Sequence, residues 1–143
     1  RLNPMTRLLI YTDGASRNNP GEASIGVVIK NERGETIETL SEYLGIATNN
    51  VAEYTALIRA LEEAKKHRSQ EIDFYLDSQL VVRQMTGEYK VKHPGIIPLV
   101  QRAQQLRRQW PEGAVRFHYI PRRENSEADA LANEAIDKKT KRV

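Results

Sequence analysis

Two apolar, strand-like runs in this sequence each stop at an aspartate, and an amphipathic segment separates them. The runs RLLIYTD and EIDFYLD end at Asp13 and Asp77. Between them, apolar residues recur every three or four positions over residues 49–66, which predicts a helix with one buried face. Two strands joined through a helix can lie parallel by a right-handed crossover. Both aspartates are then expected at the carboxyl edge of one sheet, where open α/β sheets bind ligands.

The remaining patterns complete an α/β arrangement. The first strand is predicted over residues 7–13, and two further strands over 23–31 and 35–45 form an antiparallel hairpin through a glycine-containing turn. The other predicted elements, in chain order, are a strand over 71–76, a helix over about 78–86, a helix ending near Trp110, a strand over 114–120 and a helix over 126–139.

The bulk composition fits one compact domain over residues 1–143, with flexible ends at 1–6 and 139–143. The chain is 39% hydrophobic and 29% charged, and it contains no cysteine, which excludes disulfides and thiolate metal sites. The sequence has no apolar run of the roughly 20 residues that a membrane span needs. We therefore expect a cytoplasmic protein with no membrane partner. The net charge of +3 mildly favours a polyanionic partner.

Two further acids occupy positions that are predicted to be apolar. Glu53 lies one turn from Leu57, on the side of its helix that faces the core. Asp129 lies in the alanine-rich segment EADALANEA. Together with Asp13 and Asp77 they offer four oxygen ligands without cysteine or paired histidine, a set that favours the hard cations Mg²⁺ or Mn²⁺ over zinc.

Each acid also has a purely structural interpretation, because short polar residues form turns and cap helices. The structural alternatives are a turn at Asp13–Gly14, a helix cap at Asp77, and capping boxes at Asn50–Glu53 and Ser126–Asp129. Capping gives no reason for four acids to converge on one edge of a sheet, so the metal site is the stronger hypothesis.

Four sequence blocks resemble type 1 ribonuclease H in order and spacing: YTDGASRNNPG, TNNVAEYTALIRAL, YLDSQLVVRQMTG and ENSEADALANEA. The resemblance covers nearly the whole chain. It implies the ribonuclease H-like fold, a five-stranded mixed sheet in which strands 1–3 are antiparallel, strands 4 and 5 run parallel to strand 1, and helices cover both faces. It also implies that Asp13, Glu53, Asp77 and Asp129 are both the catalytic residues and the metal ligands.

The activity implied by the resemblance is hydrolysis of the RNA strand of RNA–DNA hybrids by two metal ions, leaving 5′-phosphate and 3′-hydroxyl ends. Mg²⁺ is the expected ion, and Mn²⁺ is expected to substitute. By resemblance, Asp13 bridges both ions. Glu53 and Asp77 are the other ligands of the ion that stabilises the leaving group, and Asp129 is a ligand of the ion that carries the attacking water. The alternatives are a non-cleaving nucleic-acid-binding module on the same fold and a metal-dependent phosphatase or nuclease of other substrate range. A monomer is expected.

Small polar residues flank the acids and suit contacts to 2′-hydroxyls and phosphates. By resemblance, Asn19, Asn49, Asn50 and Gln79 contact the hybrid near the cut, and Thr48 contacts a DNA phosphate. The structural alternative is that such residues only mark turns and helix caps.

The sequence departs from well-known bacterial members of the family at two places. The loop YIPRRENSEAD before Asp129 has no histidine, and we expect Arg122 to bind phosphate there, since a guanidinium cannot act as a base. The second departure is the segment GEYKVKHPG, which stands where many relatives carry a basic protrusion. We therefore expect weaker hybrid binding and a looser preference that admits double-stranded RNA.

Overall fold

The protein is described here by a computed structural model that covers residues 6–141, with side chains up to residue 139. Its strands are β1 (Arg7–Ser16), β2 (Gly21–Lys30), β3 (Thr36–Ala47), β4 (Glu71–Leu76) and β5 (Val115–Tyr119). Its helices are α1 (Asn49–Lys66), α2 (Gln79–Met85), α3 (Ile97–Arg107) and α4 (Ser126–Lys141), with a short 3-10 helix at Arg122–Glu124. The predicted order of strands and helices is confirmed.

The five strands form one mixed sheet in the order β3-β2-β1-β4-β5. The pairs β1–β2 and β2–β3 are antiparallel, while β1–β4 and β4–β5 are parallel, which confirms the predicted sheet. Helix α1 packs on β1 and β2, and α3 packs against α1. Helix α4 packs across β1, β2 and β3. The core between the sheet and α1 is built from large apolar side chains: Ile10, Ile25, Ile29, Leu57, Leu61, Ile72 and Phe74.

Strand β1 has two partners of unequal length. Its parallel pairing with β4 ends at Thr12 opposite Leu76. Its antiparallel pairing with β2 continues through Asp13 opposite Gly26 and on to Ser16. The prediction that the first strand ends at residue 13 is therefore wrong, because the hairpin partner extends the strand by three residues. Beyond Thr12, the edge of β1 that faces β4 is open.

Two glycines let the helices approach the sheet at backbone distance. A Cβ atom on Gly14 of β1 would overlap the backbone of α1 at Glu53. A Cβ atom on Gly26 of β2 would overlap the carbonyl oxygen of Ala128, the residue before Asp129 on α4. Because only glycine leaves room for such contacts, these two positions fix where α1 and α4 lie on the sheet.

Most residues of the predicted flexible ends, 1–6 and 139–143, lie outside the described part of the chain. Where the structure does describe them, the Thr6 carbonyl accepts hydrogen bonds from the amides of Gln70 and Glu71, and α4 continues to Lys141. No helix within residues 6–141 is long and apolar enough to cross a membrane.

Candidate active site

The first pair of candidate ligands lies where β1 and β4 stop pairing. Asp13 and Asp77 each follow the last residue of the parallel ladder, so the chain places them side by side at the open edge of the sheet. Asp13 is 5% exposed, although it carries a carboxylate. The alternative that Asp77 caps the next helix is wrong: Ser78 is the cap of α2, and its hydroxyl accepts a hydrogen bond from the Val81 amide at 3.2 Å.

Helix α1 supplies the third carboxylate. Glu53 is 7% exposed, and its Oε1 accepts a hydrogen bond from the Gly14 amide at 2.9 Å. The predicted capping box at Asn50–Glu53 is wrong, because Thr48 caps this helix by accepting a hydrogen bond from the Val51 amide at 3.3 Å. Glu53 is therefore held at the end of β1 by the close approach of strand and helix.

Oxygen atoms of Asp13, Glu53 and Asp77 all lie within 4.8 Å of one another. The second oxygen of Glu53, Oε2, is buried and has no hydrogen-bond partner in the described structure. A buried carboxylate oxygen without a partner is costly, and a divalent cation would satisfy it while offsetting the repulsion among the three groups. The donor set, which is all carboxylate oxygen, fits Mg²⁺ or Mn²⁺.

Asp129 reaches the same cleft from α4, on the opposite face of the sheet. Its carboxyl group is close enough to that of Asp13 to contribute to the raised pKa of Asp13, and 31% of its side chain is exposed. Asp129 and the three clustered acids line one cleft of about 510 Å³. The structure thus brings together all four predicted acids, and three of them are close enough to share one ion.

The electrostatics of the cluster are unfavourable for ionised acids. Burial and, to a smaller extent, the charges of Glu53 and Asp77 together raise the pKa of Asp13 to about 10. Burial also raises the pKa of Glu53 to about 7, although the Gly14 amide opposes this change. The pKa of Asp77 is raised by burial and lowered in part by a hydrogen bond from Asn125. Arg122 partly offsets the charge of Asp77 and Asp129, but the structure describes no salt bridge from a protein cation to Asp13 or Glu53.

These shifts predict how Mg²⁺ changes stability with pH. Folded pKa values above the ordinary 3.8 of Asp13 and 4.5 of Glu53 mean that protonation stabilises the fold fully below about pH 4. This stabilisation is lost as the pH rises through the folded pKa of each acid. Since Mg²⁺ binds the ionised acids, we expect the difference in Tm between samples with Mg²⁺ and with EDTA to grow from about pH 4 to about pH 8.

Thermal unfolding over this pH range, with excess Mg²⁺ or with EDTA, checks the prediction. The lowered pKa of Asp73, whose neighbours include Arg116 and His118, adds an opposite pH dependence. That contribution is the same in both conditions and cancels in the difference between the two Tm curves. A difference that stays constant or shrinks with rising pH would contradict the expected cation site.

Five of the six predicted substrate-binding residues line two neighbouring clefts. Asn49, Asn50 and Arg122 line the cleft of the acids. Asn19 and Thr48 line an adjoining cleft of about 440 Å³ that also includes Asn49 and Asn50. The side chain of Asn19 accepts a hydrogen bond from the Asn49 amide at 2.9 Å, which joins the loop after β1 to the start of α1.

Gln79 directly follows Ser78, which lines the cleft of the acids. Gln79 itself is exposed at the first residue of α2 and lines neither of the two clefts. Arg122 is also exposed, with 82% of its side chain accessible, and its Nη2 lies 3.7 Å from Asp129 Oδ1. Between α2 and α3, the described chain runs through residues 86–96 without a helix.

Three residues of the site had no assigned role in the sequence analysis. Asn125 is 1% exposed, and its Nδ2 donates to the Thr12 carbonyl at 2.8 Å and to Asp77 Oδ2 at 3.1 Å. Arg17 and Asn133 line the cleft beside Asp129. The available signal was their spacing from the acids: Asn125 and Asn133 lie four residues on either side of Asp129.

The chain is similar to several known proteins over most of its length. The family described as "Reverse transcriptase-like" matches residues 11–135. The bifunctional protein Rv2228c of Mycobacterium tuberculosis is 42% identical over 132 residues, which are 92% of this chain and 36% of that protein. Ribonuclease HI of Halobacterium salinarum is 41% identical over 131 residues, which are 92% of this chain and 65% of that protein. The chain therefore spans only part of the length of these relatives.

A solved structure matches over almost its full length. The LC11-RNase H1 chain, in complex with RNA/DNA hybrid, is 45% identical to this chain with a TM-score of 0.88. The match covers 93% of this chain and 99% of that one. The chain described here belongs to the ribonuclease H family.

Proposed function

We propose that this chain is an endoribonuclease that hydrolyses the RNA strand of RNA–DNA hybrids and leaves 5′-phosphate and 3′-hydroxyl ends. The observation that carries the proposal is the convergence of four acids from β1, α1, α4 and the end of β4 on one cleft. The likeness to LC11-RNase H1, which was solved with RNA/DNA hybrid, supports the choice of substrate.

Asp13, Glu53 and Asp77 would hold a divalent ion, Mg²⁺ with Mn²⁺ able to substitute, and Asp129 with Asp13 would hold a second ion, so that the substrate complex would contain two. When bound, such ions supply Lewis-acid stabilisation of the phosphate and activation of water. The unpartnered Glu53 Oε2 and the raised pKa of Asp13 support this assignment, because both indicate carboxylates that lack a countercharge.

The polar side chains on the walls of the two clefts would position the nucleic acid. Asn49 and Asn50 form the first turn of α1, where their side-chain amides and the positive end of the helix dipole favour phosphate and hydroxyl oxygens. Arg122 would hold a phosphate near Asp129, since a guanidinium donates hydrogen bonds and cannot take up a proton at neutral pH. These contacts need no base-edge readout, which suits cleavage independent of sequence.

Two features bear on the substrate range and on the main alternative. The helix-free segment over residues 86–96 offers little surface for gripping a DNA strand, so we propose secondary activity on double-stranded RNA. A module that only binds nucleic acid gains nothing from buried carboxylates beside the phosphates, because they repel the ligand. A monomer and a cytoplasmic location stay predictions from the sequence.

The proposal is tested with end-labelled RNA–DNA hybrid, double-stranded RNA and double-stranded DNA, each incubated with Mg²⁺, Mn²⁺ or EDTA. We expect rapid cleavage of the RNA in the hybrid with either ion, slower cleavage of double-stranded RNA, and none with EDTA. Analysis of the product ends should find 5′-phosphate and 3′-hydroxyl groups. Hybrid cleavage that persists in EDTA, or binding of the hybrid without any cleavage, would refute the proposed function.

A further inference from the structure

A polar chain connects the loop after β1 to Asp129. Asp129, Asn133 and Asp137 recur every four residues and so lie along one face of α4. Arg17 crosses from the loop to this face, where its Nη2 lies 2.8 Å from Asp137 Oδ1 and 3.1 Å from Asn133 Oδ1. Nδ2 of Asn133 in turn donates to the Asp129 carbonyl at 3.0 Å and to Asp129 Oδ1 at 3.3 Å.

Arg17 and Asp129 together fix which way the Asn133 amide points. A guanidinium can only donate hydrogen bonds, so the atom that Asn133 turns toward Arg17 must be its oxygen. The NH₂ group of Asn133 then faces Asp129, where an acceptor-only carboxylate needs a donor. Without Arg17, the Asn133 side chain loses the donor that holds its oxygen, and only the two acceptors of Asp129 restrain it, so the side chain is freer to rotate away from the carboxylate.

Asp129 is the acid of the site whose position depends most on such restraints. Asp13 and Glu53 are buried and fixed by packing, whereas Asp129 keeps 31% of its side chain exposed. Arg122, also near this carboxylate, is itself 82% exposed and lies at 3.7 Å, so it restrains Asp129 weakly.

We infer that Arg17 and Asn133 are positioning residues that hold the Asp129 carboxylate in the orientation that binds a divalent ion, an inference that rests on the function proposed above. Groups that orient metal ligands in this way commonly change metal affinity by about 10- to 100-fold when removed. Arg17 acts through Asn133, and Asn133 acts on Asp129 directly.

Calorimetric titration of Mn²⁺ into the metal-free full chain tests the inference. The loss of a positive charge and the loss of a positioning contact predict opposite changes in Mn²⁺ affinity. Arg17→Met removes a positive charge beside a cation site, and electrostatics alone would tighten Mn²⁺ binding. We instead expect the ion that Asp129 would hold to bind Arg17→Met about tenfold more weakly than the unmutated chain. The loss of Mn²⁺ affinity should be at least as large in Asn133→Leu and intermediate in Arg17→Lys. Tighter or unchanged Mn²⁺ binding by Arg17→Met would overturn the inference.

Two controls separate positioning from general damage. Arg33→Met removes an exposed arginine that pairs with Glu35 at 3.0 Å in the β2–β3 turn, and it should leave Mn²⁺ affinity unchanged. In an Asp129→Asn background, Arg17→Met should cause no further loss, since the carboxylate that it orients is gone. An equal loss in both backgrounds would refute the inference.

The readout is independent of the proposed reaction. If Arg17→Met does not fold, Asn133→Leu carries the same prediction in the same titration. Because the titration contains no nucleic acid, an unmutated chain that binds Mn²⁺ but leaves the hybrid intact would refute the proposed function without affecting this result.

Discussion

Replacing Asp13 with asparagine is expected to abolish hybrid cleavage while making the metal-free protein more stable. The Asp13 carboxyl lies among those of Glu53, Asp77 and Asp129, so no other acid can take over its place between them. If this carboxylate supplies several kcal/mol of transition-state stabilisation through bound cations, its loss lowers the cleavage rate by at least about 1,000-fold.

The opposite effect on stability follows from the raised pKa of Asp13. Burial and neighbouring negative charges disfavour its ionised form, and a neutral amide of the same shape removes that penalty. We expect a gain on the order of 1–2 kcal/mol near neutral pH in EDTA, which corresponds to a rise in Tm of roughly 3–6 °C for a domain of this size.

Cleavage assays and thermal unfolding of the same preparation check both halves of this prediction. The matched control is Glu112→Gln, which neutralises an exposed acid in the loop before β5 and should change neither quantity. An Asp13→Asn protein that is inactive and less stable would indicate misfolding, and one that keeps its activity would exclude the proposed role of the carboxylate.

Asn125→Leu is expected to lower the free energy of unfolding by about 2–4 kcal/mol. Leucine has a similar size, but it leaves the Thr12 carbonyl and Asp77 Oδ2 without the donor that Asn125 Nδ2 provides at 2.8 and 3.1 Å. Buried acceptors that lose their donor cost roughly 1–3 kcal/mol each, and more when charged. The Asn125 Oδ1 has no partner in the described structure, so its removal adds no cost.

Urea denaturation measures this change as a shift in the urea concentration at the midpoint of unfolding, with the dependence of the unfolding free energy on urea concentration unchanged. Gln101→Leu, an amide-to-leucine change at an exposed position of α3, serves as the control and should shift stability by less than about 0.5 kcal/mol. A loss from Asn125→Leu no larger than that of the control would mean that the buried amide does not tie β1 to the end of β4.

The convergence of the acids could be predicted from the sequence, because the helical periodicity shows which residues face the core and the strand ends show which residues lie at the edge of the sheet. The helix between the two aspartate-terminated strands predicted parallel neighbours, and the sheet confirms it. The length of β1 was not predictable in this way, because a strand with partners of unequal length shows no break in its own pattern. The sequence alone did not decide between Asp77 and Ser78 as the cap of α2, because adjacent polar residues can both cap a helix.

The roles of Asn125 and Arg17 could not be predicted for a different reason. Both lie in polar loop segments, where asparagine and arginine are ordinary surface residues. Asn125 is buried only because α4 folds back over the ends of β1 and β4. Contacts of this kind depend on tertiary structure and leave no local sequence pattern.

Gly26 limits which substitutions the site can tolerate, because its backbone lies against α4 with no space for a side chain. Gly26 pairs with Asp13 on the neighbouring strand and contacts the backbone of Ala128, the residue before Asp129. The distance between these two acids is therefore set by main-chain contacts at Gly26. A side chain at position 26 would overlap the backbone of α4, so any substitution of Gly26 is expected to push α4 off the sheet and move Asp129 away from Asp13.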